Sequence, residues 1–274
     1  MTDANIPQLR ELLPELFEFA ETQAAQIEAG ELSSTDELAA CIRDFYSVER
    51  MAAIETVAPG WRGMAGHADG ATRRHITEAL IALQLLPEYR GAPARLRQLI
   101  EWSVLYHDLG KQVIGGQRDS MHAFRSATMA ARALPRVGFA VSTAYPQMID
   151  PWTRLVLGAS HAAHDGKGLV PDKRSLPEIL AGTEQLFGTA SAAALIVQAV
   201  LLHQSLNVVP EWPNPGSLAE AEVPLCIRPA LLPLLEAMML VDSDAWQLLD
   251  PSSKAKFRKS TLEVFATVRS LVGA

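Results

Sequence analysis

Apolar residues recur along this chain with the period of an α-helix almost throughout, and no stretch alternates as a half-buried strand does. An amphipathic helix is predicted over 7–29 and ended by Gly30; a second runs to about 57, opened by SSTDE at 33–37 as an N-cap box. APGWRGMAGHADG at 58–70 is glycine-rich and reads as a loop. Helices are then expected over 72–86, over 93–107 with Pro93 near the start, and over 120–134, stopping before Pro135. Others are predicted over 147–163, 175–187, 189–207, 228–249 and 253–271. HDGKGLVPDKRS (164–175) is a polar, turn-rich loop, and VPEWPNPGSLAEAEVP (209–224) is a proline-rich connection long enough to form a lid or a surface excursion. The pattern implies an all-α protein of roughly ten helices, with an N-terminal helical extension over 1–57 packed on a core domain over 58–274.

Composition narrows this picture. A chain of 274 residues can bury a substantial core, and 49% hydrophobic with 20% charged residues leaves disorder to the termini and a few loops. MTDANIPQLRELLPEL has neither a basic nor an apolar leader region, so no secretory signal is expected. The longest apolar run, AAALIVQAVLL at 192–202, is too short to span a bilayer, and no membrane association is expected. Cys41 and Cys226 lie far apart in apolar contexts, which predicts buried free thiols in a reducing cytoplasm. The net charge of −7 disfavours a protein that grips nucleic-acid backbone. The basic clusters Arg90, Arg95, Arg97 and Lys254, Lys256, Arg258, Lys259 read as solvated faces.

The chemistry-bearing residues are histidines. Six of the seven lie on or at the ends of predicted apolar helices. One histidine on such a face is ordinarily a satisfied core residue, but several on helices that pack together can meet at a point, as in the metal sites of helical bundles. Imidazoles and carboxylates suit divalent metals. In LIEWSVLYHDLGKQVIG (99–115), His107 and Asp108 are adjacent. Neighbours on a helix differ in direction by about 100°, so both face one volume only where the helix ends. Gly110 supplies that end. Asp108, with two oxygens, could bridge to a second metal. Lys111 can return over the same face, either to contact a phosphoryl oxygen or to complement the helix dipole.

LYHDLGK, preceded by His75 in ATRRHITEALIAL, resembles the HD-domain superfamily of metal-dependent phosphohydrolases over most of 70–250. The resemblance implies an HD-type helical bundle, with a first metal held by His75, His107, Asp108 and an aspartate of EAMMLVDSDAWQLL. There Asp242, which ends the apolar run, fits better than Asp244. Two stretches are similar to the added histidine segments of families that hold two metals: SMHAFRSATMAARAL, with His122, and RLVLGASHAAHDGKG, with His161. His164, three positions on, could share a face with His161. The tyrosine, paired histidines and glutamate of the HD-GYP signature are absent, so cyclic-dinucleotide hydrolysis is not carried over. His203 in AVLLHQSLNVV lies either near the site or in the core, and His67 in the glycine loop is expected at the surface.

By this resemblance, two divalent ions (iron, manganese, zinc, cobalt or magnesium) would be held by His75, His107, Asp108, His122, His161 and Asp242. Asp108 and Lys111 would be catalytic; Lys111, Arg74, Arg125, His164 and His203 would contact substrate, with Arg73 and Arg118 close in sequence. The implied activity is hydrolysis of a phosphoester in a nucleotide or other small phosphorylated molecule. The same six ligands fit HD proteins that use two irons and dioxygen to cleave carbon–carbon or carbon–phosphorus bonds. HDLGK with spaced histidines is also similar to CRISPR-associated HD nucleases, against which the net charge stands. A binding module without turnover is disfavoured, since every expected ligand position is filled.

Overall fold

Prolines and caps cut the predicted helices into shorter rods. The computed structural model describes residues 6–64, 71–112, 119–162, 168–209 and 214–274. The helix expected over 7–29 is two, α1 (Leu9–Leu12) and α2 (Pro14–Ala29), because Pro14 has no N–H and pushes Leu13 out of the helical region. The next divides into α3 (Thr35–Phe45) and α4 (Val48–Val57). Ser34 caps the first by accepting from Glu37 N, and Ser47 opens the second by accepting from Arg50 N.

The rods that follow are α5 (Ala71–Leu85), α6 (Pro87–Arg90), α7 (Ala94–Tyr106), α8 (His122–Ala133) and α9 (Tyr145–Gly158). Beyond them lie α10 (Leu176–Phe187), α11 (Ala192–Leu202), α12 (Val223–Cys226), α13 (Leu232–Trp246) and α14 (Pro251–Val272). The described residues are thus dominated by helix, as the all-α expectation held. One departure is a small antiparallel pair, β1 (Ser160–Ala162) with β2 (Leu169–Pro171), in which His161 faces Val170. Three-residue strands are too short to show a period of two, and they replace the end of the helix predicted over 147–163 and part of the loop after it.

Every residue of α11 is buried, as a helix apolar on all sides must be. It packs against α7, α8, α10 and α13. α7 in turn touches α5, α8, α11 and α13, so four helices surround its C-terminal end. α2 lies on α5, and buried residues from Ile6 to Val268 form one continuous apolar core. Cys226 is buried and Cys41 half-buried, both as free thiols. No helix among the described residues is long and apolar enough to cross a membrane.

A cavity of about 610 Å³ opens beside α1, α2, α5 and α7, lined among others by Arg10, Glu21, Tyr89, Arg97 and Glu101. Arg10 bridges it, donating to Glu101, Glu21, Gln84 and Tyr89. Its charges largely satisfy one another, and it ties the N-terminal helices to α5–α7.

Candidate metal centre

The five elements around the end of α7 each contribute a donor. His75 comes from α5, His107 caps the C-terminus of α7 with Asp108 next to it, His122 begins α8, His203 caps the C-terminus of α11 and Asp242 lies on α13. They form two groups whose donor atoms lie close enough to hold a metal ion: His75, His107 and Asp242, and Asp108, His122 and His203. In the first, His75 Nε2 is 2.8 Å and His107 Nε2 3.7 Å from Asp242 Oδ1. In the second, His122 Nε2 is 2.9 Å and His203 Nε2 3.6 Å from Asp108 Oδ1. Asp108 joins the groups: His107 Nε2 is 3.9 Å from Oδ1, and His75 Nε2 is 3.8 Å from Oδ2.

Three of the imidazoles are aimed by one local device. His107, His122 and His203 each donate Nδ1–H to the carbonyl three residues earlier, on Val104 (2.7 Å), Asp119 (2.6 Å) and Val200 (2.7 Å). A carbonyl only accepts, so the proton is on Nδ1 and a neutral ring turns a bare Nε2 lone pair into the cluster. Yet His122 Nε2 and His203 Nε2 are 3.1 Å apart, and His107 Nε2 is 3.3 Å from His75 Nε2. Lone pairs and carboxylates at these separations need a cation among them, either a proton or a metal. A backbone carbonyl holding the second nitrogen is also what fixes metal-bound histidines. The donor set of imidazoles and carboxylates fits a divalent first-row metal.

The electrostatics agree. Burial alone would lower His107, but Asp108 and then Asp242 outweigh it and push the imidazole up to about 9. Burial opposes ionisation of Asp108, yet His122, Lys111 and His107 hold its carboxyl well below the usual range. Asp242 is held down likewise by His107 and His75 against its burial. Desolvation pulls His203 down, helped by His122 and His107, with Asp108 resisting. Lys111 donates to Asp108 Oδ2 at 2.8 Å, and that contact raises its ammonium above the ordinary value despite burial.

The geometry sorts the residues picked out from the sequence. His75, His107, Asp108, His122 and Asp242 come together, and Lys111 reaches them through Asp108. His161 does not join them: it is exposed on β1. His203, picked as a substrate contact, stands instead in the group with Asp108 and His122. Arg125 is committed elsewhere, donating to Asp119 and, at 2.8 Å, to Gly110 O. Arg74 pairs with Glu78 one turn on, at 2.7 Å. Asp244 is buried near Lys254 (3.3 Å), outside both groups. His67, Arg118 and His164 lie outside the described residues.

Asp119 was not singled out from the sequence. Its carboxylate accepts from Gln112 N, Met121 N and Arg125 while its carbonyl fixes His122, so it clamps the chain after Lys111 to the start of α8. An acid three residues before a histidine is the signal, visible only once that histidine is known to matter.

Fold and site together define a class: an all-α protein whose buried His/Asp cluster could hold metal. No family model matches the chain, and no match was found among curated proteins or solved structures.

Proposed function

We propose that the chain is an HD-type metal-dependent phosphohydrolase, acting through a binuclear centre on a nucleotide or other small phosphorylated substrate. One observation carries the reading: Asp108, from the HDLGK stretch, joins two groups of donors in which three of the four imidazoles, His107, His122 and His203, have Nε2 aimed by a backbone carbonyl. His75, His107 and Asp242 would hold one ion, and His122 and His203 the other, with Asp108 offering an oxygen to each side. Bound there, divalent ions supply a water made acidic near neutral pH and charge stabilisation at phosphorus. Lys111, whose Nζ sits 2.8 Å from Asp108, brings a compact cation to the phosphoryl oxygens. Gly110 and the Asp119–Arg125 clamp keep the HDLG turn pressed on α8, which fixes Asp108 against His122.

The test is metal analysis of the purified chain, joined to turnover of a simple phosphodiester with and without oxygen. Bound divalent metal and oxygen-independent turnover are expected. Asp108→Ala should lose both while keeping its helical circular dichroism; retention of metal and turnover overturns the site. Turnover that requires oxygen moves the reading to the di-iron oxygenases.

A further inference from the structure

The cluster meets solvent along one edge. The side chains of Asp242 and Lys111 are 26% and 27% exposed, whereas those of the other five donors are at 3% or less. At that edge stands Trp246, one turn beyond Asp242 at the end of α13, with 60% of its surface exposed. Three other tryptophans, Trp61, Trp102 and Trp152, are buried. The Trp246 indole stacks on the His75 imidazole, ring centroids 4.4 Å apart and planes 23° from parallel. Lys111 Nζ lies 5.6 Å from the indole centroid.

Packing does not account for an indole left this open, and the stack on His75 uses only part of it. What remains is a flat apolar surface beside a cation, at the entrance to a cluster suited to phosphoryl chemistry. A nucleotide presents the matching pair within one small molecule: an aromatic base and, next to it, an anionic phosphoester.

We propose that Trp246 is a stacking platform for the nucleobase of the substrate, so that the class taken is a nucleotide phosphoester with its phosphate toward Lys111. This rests on the phosphohydrolase reading and adds specificity to it. Every base has a π-face, so stacking of this kind selects nucleotides without choosing strongly among them. A free nucleotide and the end of a single strand carry the same chemistry.

Two measurements test it. The first compares kcat/KM for a thymidine phosphoester with that for the matching deoxyribose phosphoester lacking the base, in the wild type, Trp246→Ala and Trp246→Phe. Taking the ratio of the two substrates cancels any loss both share through His75. Trp246→Ala should lower that ratio by about 5- to 100-fold, mainly through KM, and Trp246→Phe should keep most of it. A ratio unchanged in Trp246→Ala overturns the platform even if hydrolysis stands. The second follows thymidine binding by tryptophan fluorescence in chelator-treated wild type and Trp246→Phe, with no turnover required. Quenching that disappears in Trp246→Phe supports the platform even where no phosphoester is hydrolysed; its absence in the wild type counts against it. Repeating the kinetics with a short oligothymidylate separates a strand end from a free nucleotide as the source.

Discussion

Gly110→Ala is the sharpest test of how the site is held. A Cβ built on Gly110 would fall 2.6 Å from Ser126 N, 2.7 Å from Arg125 Cβ and 2.9 Å from Arg125 C. Ordinary carbon contacts lie at about 3.5–4.0 Å, and two of these three atoms are backbone of α8, so the HDLG turn itself must retreat by roughly 1 Å. Two hydrogen bonds tie it there: Gly110 N donates to Ser126 Oγ (2.9 Å), and Gly110 O accepts from Arg125 Nε (2.8 Å). Losing both costs about 1 kcal/mol each, and the overpacking about 1–3 kcal/mol more, for a total of about 3–5 kcal/mol. The retreat also draws Asp108 away from His122, now at 2.9 Å. The expected outcome is a lower urea midpoint by circular dichroism, with metal affinity reduced at least about tenfold. Gly158→Ala is the control: it sits in α9 and its Cβ meets nothing within 4 Å, so metal binding should not move and the midpoint should hold or rise, by up to about 1 kcal/mol of helix propensity. Equal midpoints and equal metal content in the two variants would refute the close-approach argument.

Two further outcomes follow from the same geometry. His203→Ala should reduce bound metal in the purified protein while His161→Ala leaves it unchanged, because His203 faces Asp108 and His161 is exposed on β1; metal analysis showing the reverse would restore the ligand set expected from the sequence. In chelator-treated protein the urea midpoint should fall as pH rises from about 6.5 to about 9. His107 folds with its value raised to about 9 from an unfolded value of about 6.5, so its contribution is complete below the unfolded value and lost through the folded one. His203, lowered by burial, and the two depressed carboxylates act only below that window. A midpoint that is flat or rising across it contradicts the assignment.

The helical periods were legible because burial in an all-α fold writes a period of 3.6 into the chain. Breaks were legible only where local chemistry was weighed against the period: Pro14 and Ser47 each start a new helix inside an apolar pattern that runs on past them. At the site, HDLGK and the apolar run before Asp242 pointed to His107, Asp108 and Asp242, while the place of His203 was not legible. His161 stands apart from the cluster for a local reason. SVLYHDL and AVLLHQS share one local arrangement, an apolar helix capped at its C-terminus by a histidine that bonds back to the carbonyl three residues earlier. His161 comes three residues after α9 ends at Gly158 and lies on β1, past the helix C-terminus. The helix-end arrangement, more than proximity to a second histidine in sequence, was the signal. Trp246 left no trace of its role, since exposure belongs to the tertiary structure.

Four imidazoles and two carboxylates meeting in a nearly dry core make an arrangement that favours positive charge, and the way it obtains that charge links stability to metal. Without metal, protons supply it: His107 is held in its charged form well above the ordinary range, and the Lys111 ammonium leans on Asp108. Metal ligation needs neutral imidazole and ionised carboxylate. Asp108 and Asp242 already meet that condition, since their neighbours keep them ionised, while His107 must give up a proton. The burial that makes neutral His203 favourable works in the same direction, because it presents a lone pair without first expelling a proton. Between these two imidazoles, His203 therefore meets a metal with less proton competition at neutral pH than His107 does.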